Sequence, residues 1–468
     1  MHRFATLAAV LLVVATAVAA SASDAPRPNF IVVLIDDMGY GDLSCYGNEQ
    51  VTTQHIDRLA AEGIRFTQYY SAAPICSPSR VGITTGQYPA RWDITSFLNH
   101  RKANRQRGMQ QWLDPAAPTL ARRLQSAGYA TGHFGKWHMG GQRDVGEAPL
   151  ISEYGFDESL TQFEGLGERV LGVFDTIHQD AGGKRGLELG SEQLGRGEIH
   201  WIKRYDVTKA FSDRAIDFIE QAKDADKPFY VNVWPDDVHS PHEPPPEFRC
   251  DSGRAAMYAG VIENMDDQLG PLFDFIREDP ELRKSTLILL TSDNGPEPGA
   301  GSAGPFRGHK GQLYEGGIRE PLIAWAPGLM PDDRQGSVDD EAVIGAVDVS
   351  PSLLSLAGVE PPEGVALDGI DVSAALVGRA KQPERDRPLL WNRPPDRPGP
   401  NGAWPDLAIR DGDWKLLVET DGSRPQLYDL SNDPGEERNL AADHPDVVKR
   451  LSGRVVGWHR EVAPEPRP

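Results

Sequence analysis

Short, wholly apolar runs alternate along this chain with longer segments whose apolar residues recur every three or four positions. Asn29–Ile35 (NFIVVLI) is continuous and β-branched, the pattern of a strand buried on both faces of a parallel sheet. Pro228–Trp234, Leu287–Thr291 and Leu322–Ala326 predict further strands, as does Tyr129–Phe134, which follows a helix ended by Gly128. Helical spacing falls between them, at His55–Ala61 closed by Gly63, at Thr119–Ala127 ended by Gly128, and over 254–278. Strands separated by helices predict an α/β fold built on a large, mainly parallel sheet flanked by helices.

The pattern changes near the C-terminus. After a proline- and glycine-rich stretch at 392–405, the runs Trp414–Leu417 and Leu427–Leu430 predict a smaller β-rich domain, closed by a helix over Pro445–Val462. The expected organisation is a signal peptide at 1–22, a catalytic domain at 23–380 and a smaller C-terminal α+β domain at 381–468. The signal is read from the basic start His2-Arg3, the apolar stretch Leu7–Ala20 and a small-residue cleavage site at Ala20-Ser21-Ala22. No other long apolar run occurs, which predicts a periplasmic or secreted protein with no stable membrane insertion once the signal is cleaved.

Charge excludes some partners. Forty-eight Lys and Arg against 69 Asp and Glu give a net charge of −21, which argues against nucleic acid or an anionic membrane. An anionic substrate would then need a local cluster of cations, because salt screens longer-range fields beyond about 10 Å. The three cysteines, Cys45, Cys76 and Cys250, are too few for a disulfide framework.

Polar residues collect just past the predicted strands. Asp36-Asp37, Lys136 with His138, His239 and Asp293-Asn294 each follow the C-terminal end of one, the edge where open α/β sheets bind ligands. One Asp pair alone is ordinarily a solvated turn, but a second acid–amide pair after another buried strand points to a shared cation. Asp36, Asp37, Asp293 and Asn294 offer only oxygens, which suits calcium, with magnesium second, and not zinc. Lys310, beside a glycine-rich turn, is an exposed lysine if taken singly. His242 reads more readily as a hydrogen-bonded loop histidine than as a partner of His239.

The most informative segment is Cys76-Ser77-Pro78-Ser79-Arg80, followed by Thr85-Gly86. Ser77 is placed to cap a helix starting at Pro78, which sets residue 76 at a helix N-terminus, favourable to an anion. Arg80 falls one turn along the same face. Together with Gly-Lys-Trp-His at 135–138, His-Ser-Pro at 239–241, Asp-Asn-Gly at 293–295 and Tyr-Glu-Gly-Gly-Ile-Arg at 314–319, the segment resembles the type I sulfatases of the alkaline-phosphatase-like superfamily. Ile83, where that family carries Leu or Met, is the one departure in the motif.

The resemblance implies a sulfuric ester hydrolase with one calcium ion, Cys76 among its ligands, and a formylglycine made from Cys76 by a maturation enzyme. It also implies a sulfated small molecule or carbohydrate as substrate. Hydrated formylglycine would attack sulfur while Arg80, Lys136 and Lys310 neutralise the sulfate oxygens. His239, with Lys310, would protonate the leaving alcohol, and His138 would take the proton that lets the aldehyde reform. A phosphate ester or phosphonate hydrolase on the same fold is the alternative, and a binding protein that no longer turns over is a second. Trp92, Asp93, Asn99, His100 and Arg101 are candidate sugar contacts.

Overall fold

The computed structural model describes residues 27–462 apart from 163, 176–190, 250–252, 362, 382–384, 395 and 398. The expected signal peptide and Cys250 therefore lie outside the described residues.

Among the described residues, eleven strands form the main sheet. They are β1 (Asn29–Ile35), β2 (Ile64–Tyr70), β3 (Ala130–Gly135), β4 (Glu158–Gln162), β5 (Arg169–Val173), β6 (Ile199–Lys203), β7 (Phe229–Trp234), β8 (Thr286–Ser292), β9 (Arg319–Trp325), β10 (Ser337–Asp339) and β11 (Ile344–Gly345). Their order is β10-β2-β9-β8-β1-β7-β3-β4-β5-β6, with β11 also on β2. Every pairing is parallel except those of β9 with β2 and β8. The five strands read from the sequence, β9, β8, β1, β7 and β3, are consecutive neighbours at the centre of the sheet. Burial on both sides favours apolar residues on both faces, although β3 also buries Thr131 and His133 and β7 buries Asn232.

Alternate residues of β1 enter different cores. Phe30, Val32 and Leu34 pack into one, with helices Cys76–Thr85, Leu120–Ser126, Ala346–Ala357 and Pro445–Val462. Ile31, Val33 and Ile35 pack into the other, with helices Gln54–Glu62, Val207–Asp224 and Arg254–Glu278. This period of two makes a helix–sheet–helix sandwich.

A second, antiparallel sheet joins β12 (Leu389–Asn392), β13 (Leu407–Asp411), β14 (Trp414–Val418) and β15 (Gln426–Asp429). One face packs Leu389, Trp391, Ala408 and Leu417 on Tyr70, Leu313, Tyr314 and Ile318. Beneath it lies a fully buried ionic cluster. Lys415 Nζ contacts Glu315 at 2.8 Å and Glu436 at 2.9 Å, and Tyr70 donates to Glu315 at 2.7 Å. Burial pushes the Glu436 carboxyl up to about 7, with Lys415 opposing; for Glu315, burial is outweighed by Lys415 and Arg319, which hold it down to about 2. Lys415→Met should cost ~3–5 kcal/mol of stability, because it takes the contacting cation from buried Glu436 and leaves Glu315 with Arg319. Urea unfolding measures this, and near-wild-type stability would refute the cluster's importance.

Candidate active site

Four adjacent parallel strands, β8, β1, β7 and β3, end at one rim, and their C-terminal residues converge there. Asp36 and Asp37 follow β1, and Asp293 and Asn294 follow β8; all four side chains are buried. Asp37 takes φ 61°, a left-handed conformation that aspartate tolerates better than most residues. Its N–H donates to Asp293 Oδ1 at 3.1 Å, which ties the two strand ends together.

Cys76 reaches the rim from below. It is the first residue of the helix Cys76–Thr85, and extended Ile75 (φ −158°, ψ 154°) is the N-cap, with no side-chain cap. The expected helix start at Pro78 capped by Ser77 is therefore corrected. Ser77 Oγ instead accepts the Leu98 N–H at 2.8 Å, and Pro78 sits inside the first turn, where helix N–H groups lack partners anyway. The helix closes with Gly86 at φ 68°. Residue 76 keeps its place at the helix N-terminus, and a ligand atom of Cys76 lies within 4.8 Å of ones from Asp36 and His239. Burial, reinforced by Asp36, pushes the Cys76 thiol well above its usual range. An unmodified thiol here stays protonated and is a poor nucleophile.

Arg80 is wholly buried one turn on. Its Nη2 bridges Asp36 Oδ1 at 3.0 Å and Asp293 Oδ2 at 2.8 Å, and its Nη1 donates to the Lys136 carbonyl at 3.0 Å. Lys136 Nζ meets Asp36 Oδ2 at 2.7 Å, and Lys310 Nζ meets Asp37 Oδ2 at 2.5 Å. Burial disfavours charge on both lysines, yet Asp36 raises Lys136 and Asp37 raises Lys310 above the ordinary lysine range. Burial likewise works against an ionised Asp36, but Lys136 and Arg80 hold it well below the carboxylate range. Three buried cations are thus gathered in a chain whose net charge is −21, each paired with a carboxylate of Asp36, Asp37 or Asp293.

The histidines divide. His239 Nε2 lies 3.8 Å from Asp37 Oδ2, and its side chain, 32 % exposed, is open to solvent. Its Nδ1 is 2.6 Å from the Ser240 carbonyl; a carbonyl only accepts, so Nδ1 carries a proton and Nε2 faces the site. By the same logic His138 Nε2 donates to the Leu98 carbonyl at 2.9 Å, which leaves Nδ1 as its titrating atom. His242 turns elsewhere: its Nε2 is 3.0 Å from the Val238 carbonyl, and its ring packs edge-on to Tyr258.

Sequence reasoning missed Glu164. It is buried, with Oε2 at 3.2 Å from Lys136 Nζ and 2.9 Å from His138 Nδ1. It stands two residues past β4, so the same strand-end rule reaches it once β4 is known. Of the candidate sugar contacts, Asn99 borders the site: Leu98 holds His138, and the Asn99 carbonyl accepts from Gln142 and Asn104. His100 is exposed and Arg101 is ion-paired with Glu147. Trp92 packs against the core, and Asp93 accepts from Gln110.

The donor set fits a hard cation. Carboxylate oxygens of Asp36, Asp37 and Asp293 lie within 4.8 Å of one another. Asn294 Oδ1 is buried without a hydrogen-bond partner among the described residues, while its Nδ2 is committed to Asp37 and Gly295. Three carboxylates and an orphaned amide oxygen suit oxygen-seeking divalent ions.

The family model described as Sulfatase matches residues 28–359, and that described as N-sulphoglucosamine sulphohydrolase, C-terminal, matches 306–460. The chain belongs to the type I sulfatase family. As a sulfatase it is a sulfuric ester hydrolase of the alkaline-phosphatase-like superfamily. It is 30% identical to the N-acetylgalactosamine-6-O-sulfatase of Bacteroides thetaiotaomicron, over 91% of this chain and 92% of that one. It is 31% identical to human arylsulfatase A, over 93% and 88%. A solved structure of Ps i-CgsB in complex with k-i-k-neocarrahexaose matches with TM-score 0.77 and 25% identity, over 94% of each chain.

Chelating agents should lower the sulfatase's unfolding temperature and a divalent cation restore it, since an ion that binds only the native state stabilises by ~2.7 kcal/mol at a hundredfold excess over Kd. In Asp293→Ala both responses should vanish. A cation response equal to wild type in that variant would remove Asp293 from the ligand set.

Proposed function

We propose that this sulfatase hydrolyses a sulfate monoester on a carbohydrate, with formylglycine made from Cys76 as nucleophile, and that it works in the periplasm or outside the cell. The observation that carries the reading is the meeting of Cys76, at a helix N-terminus, with Asp36, Asp37, Asp293 and Asn294 inside a ring of Arg80, Lys136 and Lys310. The carbohydrate is supported by relatives named for N-acetylgalactosamine-6-sulfate and by the neocarrahexaose complex. Export is supported by the N-terminal signal pattern, and no described helix is long and apolar enough to cross a membrane.

Asp36, Asp37, Asp293 and Asn294 would hold a calcium ion, which lowers the proton affinity of the attacking hydroxyl and neutralises sulfate charge. The protein's own groups do the rest. Lys136 and Lys310 bind and orient the sulfate oxygens, and Arg80 fixes Asp36 and Asp293 while adding a third positive charge. His239 Nε2, the exposed imidazole edge, donates a proton to the departing alcohol. His138, with the Glu164 carboxylate 2.9 Å from its Nδ1, takes up with that carboxylate the proton of the second hydroxyl of residue 76, so that sulfate can leave without water attacking sulfur. A pocket lined in part by Val170, Phe174, Val207 and Pro241 opens beside Lys136 and His239, a fitting place for the alcohol to which the sulfate is attached.

Cys76→Ala should abolish turnover while the protein unfolds at a near-native temperature. Cys76→Ser should leave protein heavier by one sulfate group, because a simple alcohol ester lacks the release route. Peptide mass analysis around residue 76 tests the modification itself, and an intact thiol in active material would overturn the reading. His239→Ala should cost about 100- to 10,000-fold in kcat, the usual worth of a general acid. His242→Ala should cost far less; the reverse ranking would reassign the acid.

A further inference from the structure

A carboxylate does not belong, at first sight, in a pocket built to hold an anion. Glu164 is nevertheless buried in the site, 3.2 Å from Lys136 Nζ and 2.9 Å from His138 Nδ1. It is held from both ends of the residue: the Glu164 carbonyl accepts the His138 N–H at 2.9 Å while the carboxyl meets the His138 ring. The neighbouring Gly165 N–H donates to the Gln162 carbonyl at 3.0 Å, which fixes the turn after β4. Glu164 is thus set firmly beside the lysine assigned to the sulfate oxygens.

The charged and titratable groups that face it are Lys136 and His138 in contact and, further off, His239 and Arg143. Burial works against an ionised Glu164, but His138 and Lys136 hold its carboxyl below the ordinary range. In contact with the Lys136 ammonium, it adds a negative charge to those of Asp36, Asp37 and Asp293 and offsets part of the charge that Lys136 presents to an anion.

We propose that Glu164 sets the charge selectivity of the pocket, matching it to the single negative charge of a sulfate monoester and against the two charges of a phosphate monoester. This rests on the sulfate-ester reading above. Around one reacting centre the two substrates have the same shape and differ in charge, so shape alone cannot separate them. A unit charge several ångströms from the reacting group, at an effective dielectric near 20, acts strongly enough to change relative rates about tenfold or more for each unit of substrate charge. Glu164 is a specificity residue in this account; Lys136 and His138 remain the groups that touch substrate.

The test compares an aryl phosphate with the aryl methylphosphonate of the same alcohol, in which a methyl group replaces one charged oxygen. Wild type, Glu164→Gln and Glu164→Asp are measured at one pH, with an aryl sulfate as the reference substrate. Wild type should prefer the singly charged methylphosphonate relative to phosphate. Glu164→Gln should move the ratio of kcat/KM values at least tenfold towards phosphate, and Glu164→Asp, which keeps the charge, should stay near wild type. An unchanged ratio in the Gln variant, with both substrates slowed alike, would make Glu164 a support for His138 and overturn the proposal. Equal shifts in the Gln and Asp variants would do the same, since shape and not charge would then be responsible. Should the Gln variant fail to fold, a wild-type preference for phosphate over methylphosphonate would by itself refute it. Failure of wild type to hydrolyse the aryl sulfate would strike instead at the sulfate-ester reading.

Discussion

A single guanidinium holds the rim of this protein together. Arg80 is wholly buried and reaches both Asp36 and Asp293, which close two neighbouring strands. Without it, carboxylates from two strand ends would face one another in a region of low polarisability, where their repulsion is least screened. The guanidinium is planar and permanently charged, so one side chain can serve both acids and the Lys136 carbonyl together. Everything catalytic in the reading above presumes this arrangement: the acids must be close to share an ion, and they can be close only because cations surround them.

The same logic explains why the site sits at this edge. Each parallel strand delivers its last residues to one end of the sheet, and four neighbouring strands do so side by side. The antiparallel β9 brings its N-terminal end to that edge, so the glycine-rich loop before it, which carries Lys310, also arrives there. The helix bearing Cys76 follows β2, whose C-terminal end faces the same way. Backbone topology gathers the groups, and buried ion pairs fix their spacing.

Much of this was legible in the sequence, for a physical reason. Strands buried on both faces are mostly apolar, so β1, β7 and β8 stand out, β3 follows from the helix and glycine before it, and the residues after all four can be read as a rim. The strands from β4 out to the β6 edge carry no such mark. In β6 every residue is only half buried, and Glu158–Gln162 in β4 begins with polar residues, so neither stood out. Glu164 went unread because its strand did. The start of the Cys76 helix was misplaced by two residues because Ser-Pro is a strong local signal for a cap, whereas Ser77 is drawn into a tertiary bond with Leu98. Local preference lost there to a contact that no short window contains.

The loop bearing Lys310 is moored twice: the Gly311 N–H donates to the Pro74 carbonyl at 2.7 Å, next to the approach to Cys76, and Glu315 is gripped by Lys415 from the small sheet. The carboxy-terminal portion is thus a buttress for the catalytic frame rather than an appendage. A change to Lys415 in the small sheet would therefore reach the loop that carries Lys310 through Glu315, although the two lysines pair with different carboxylates.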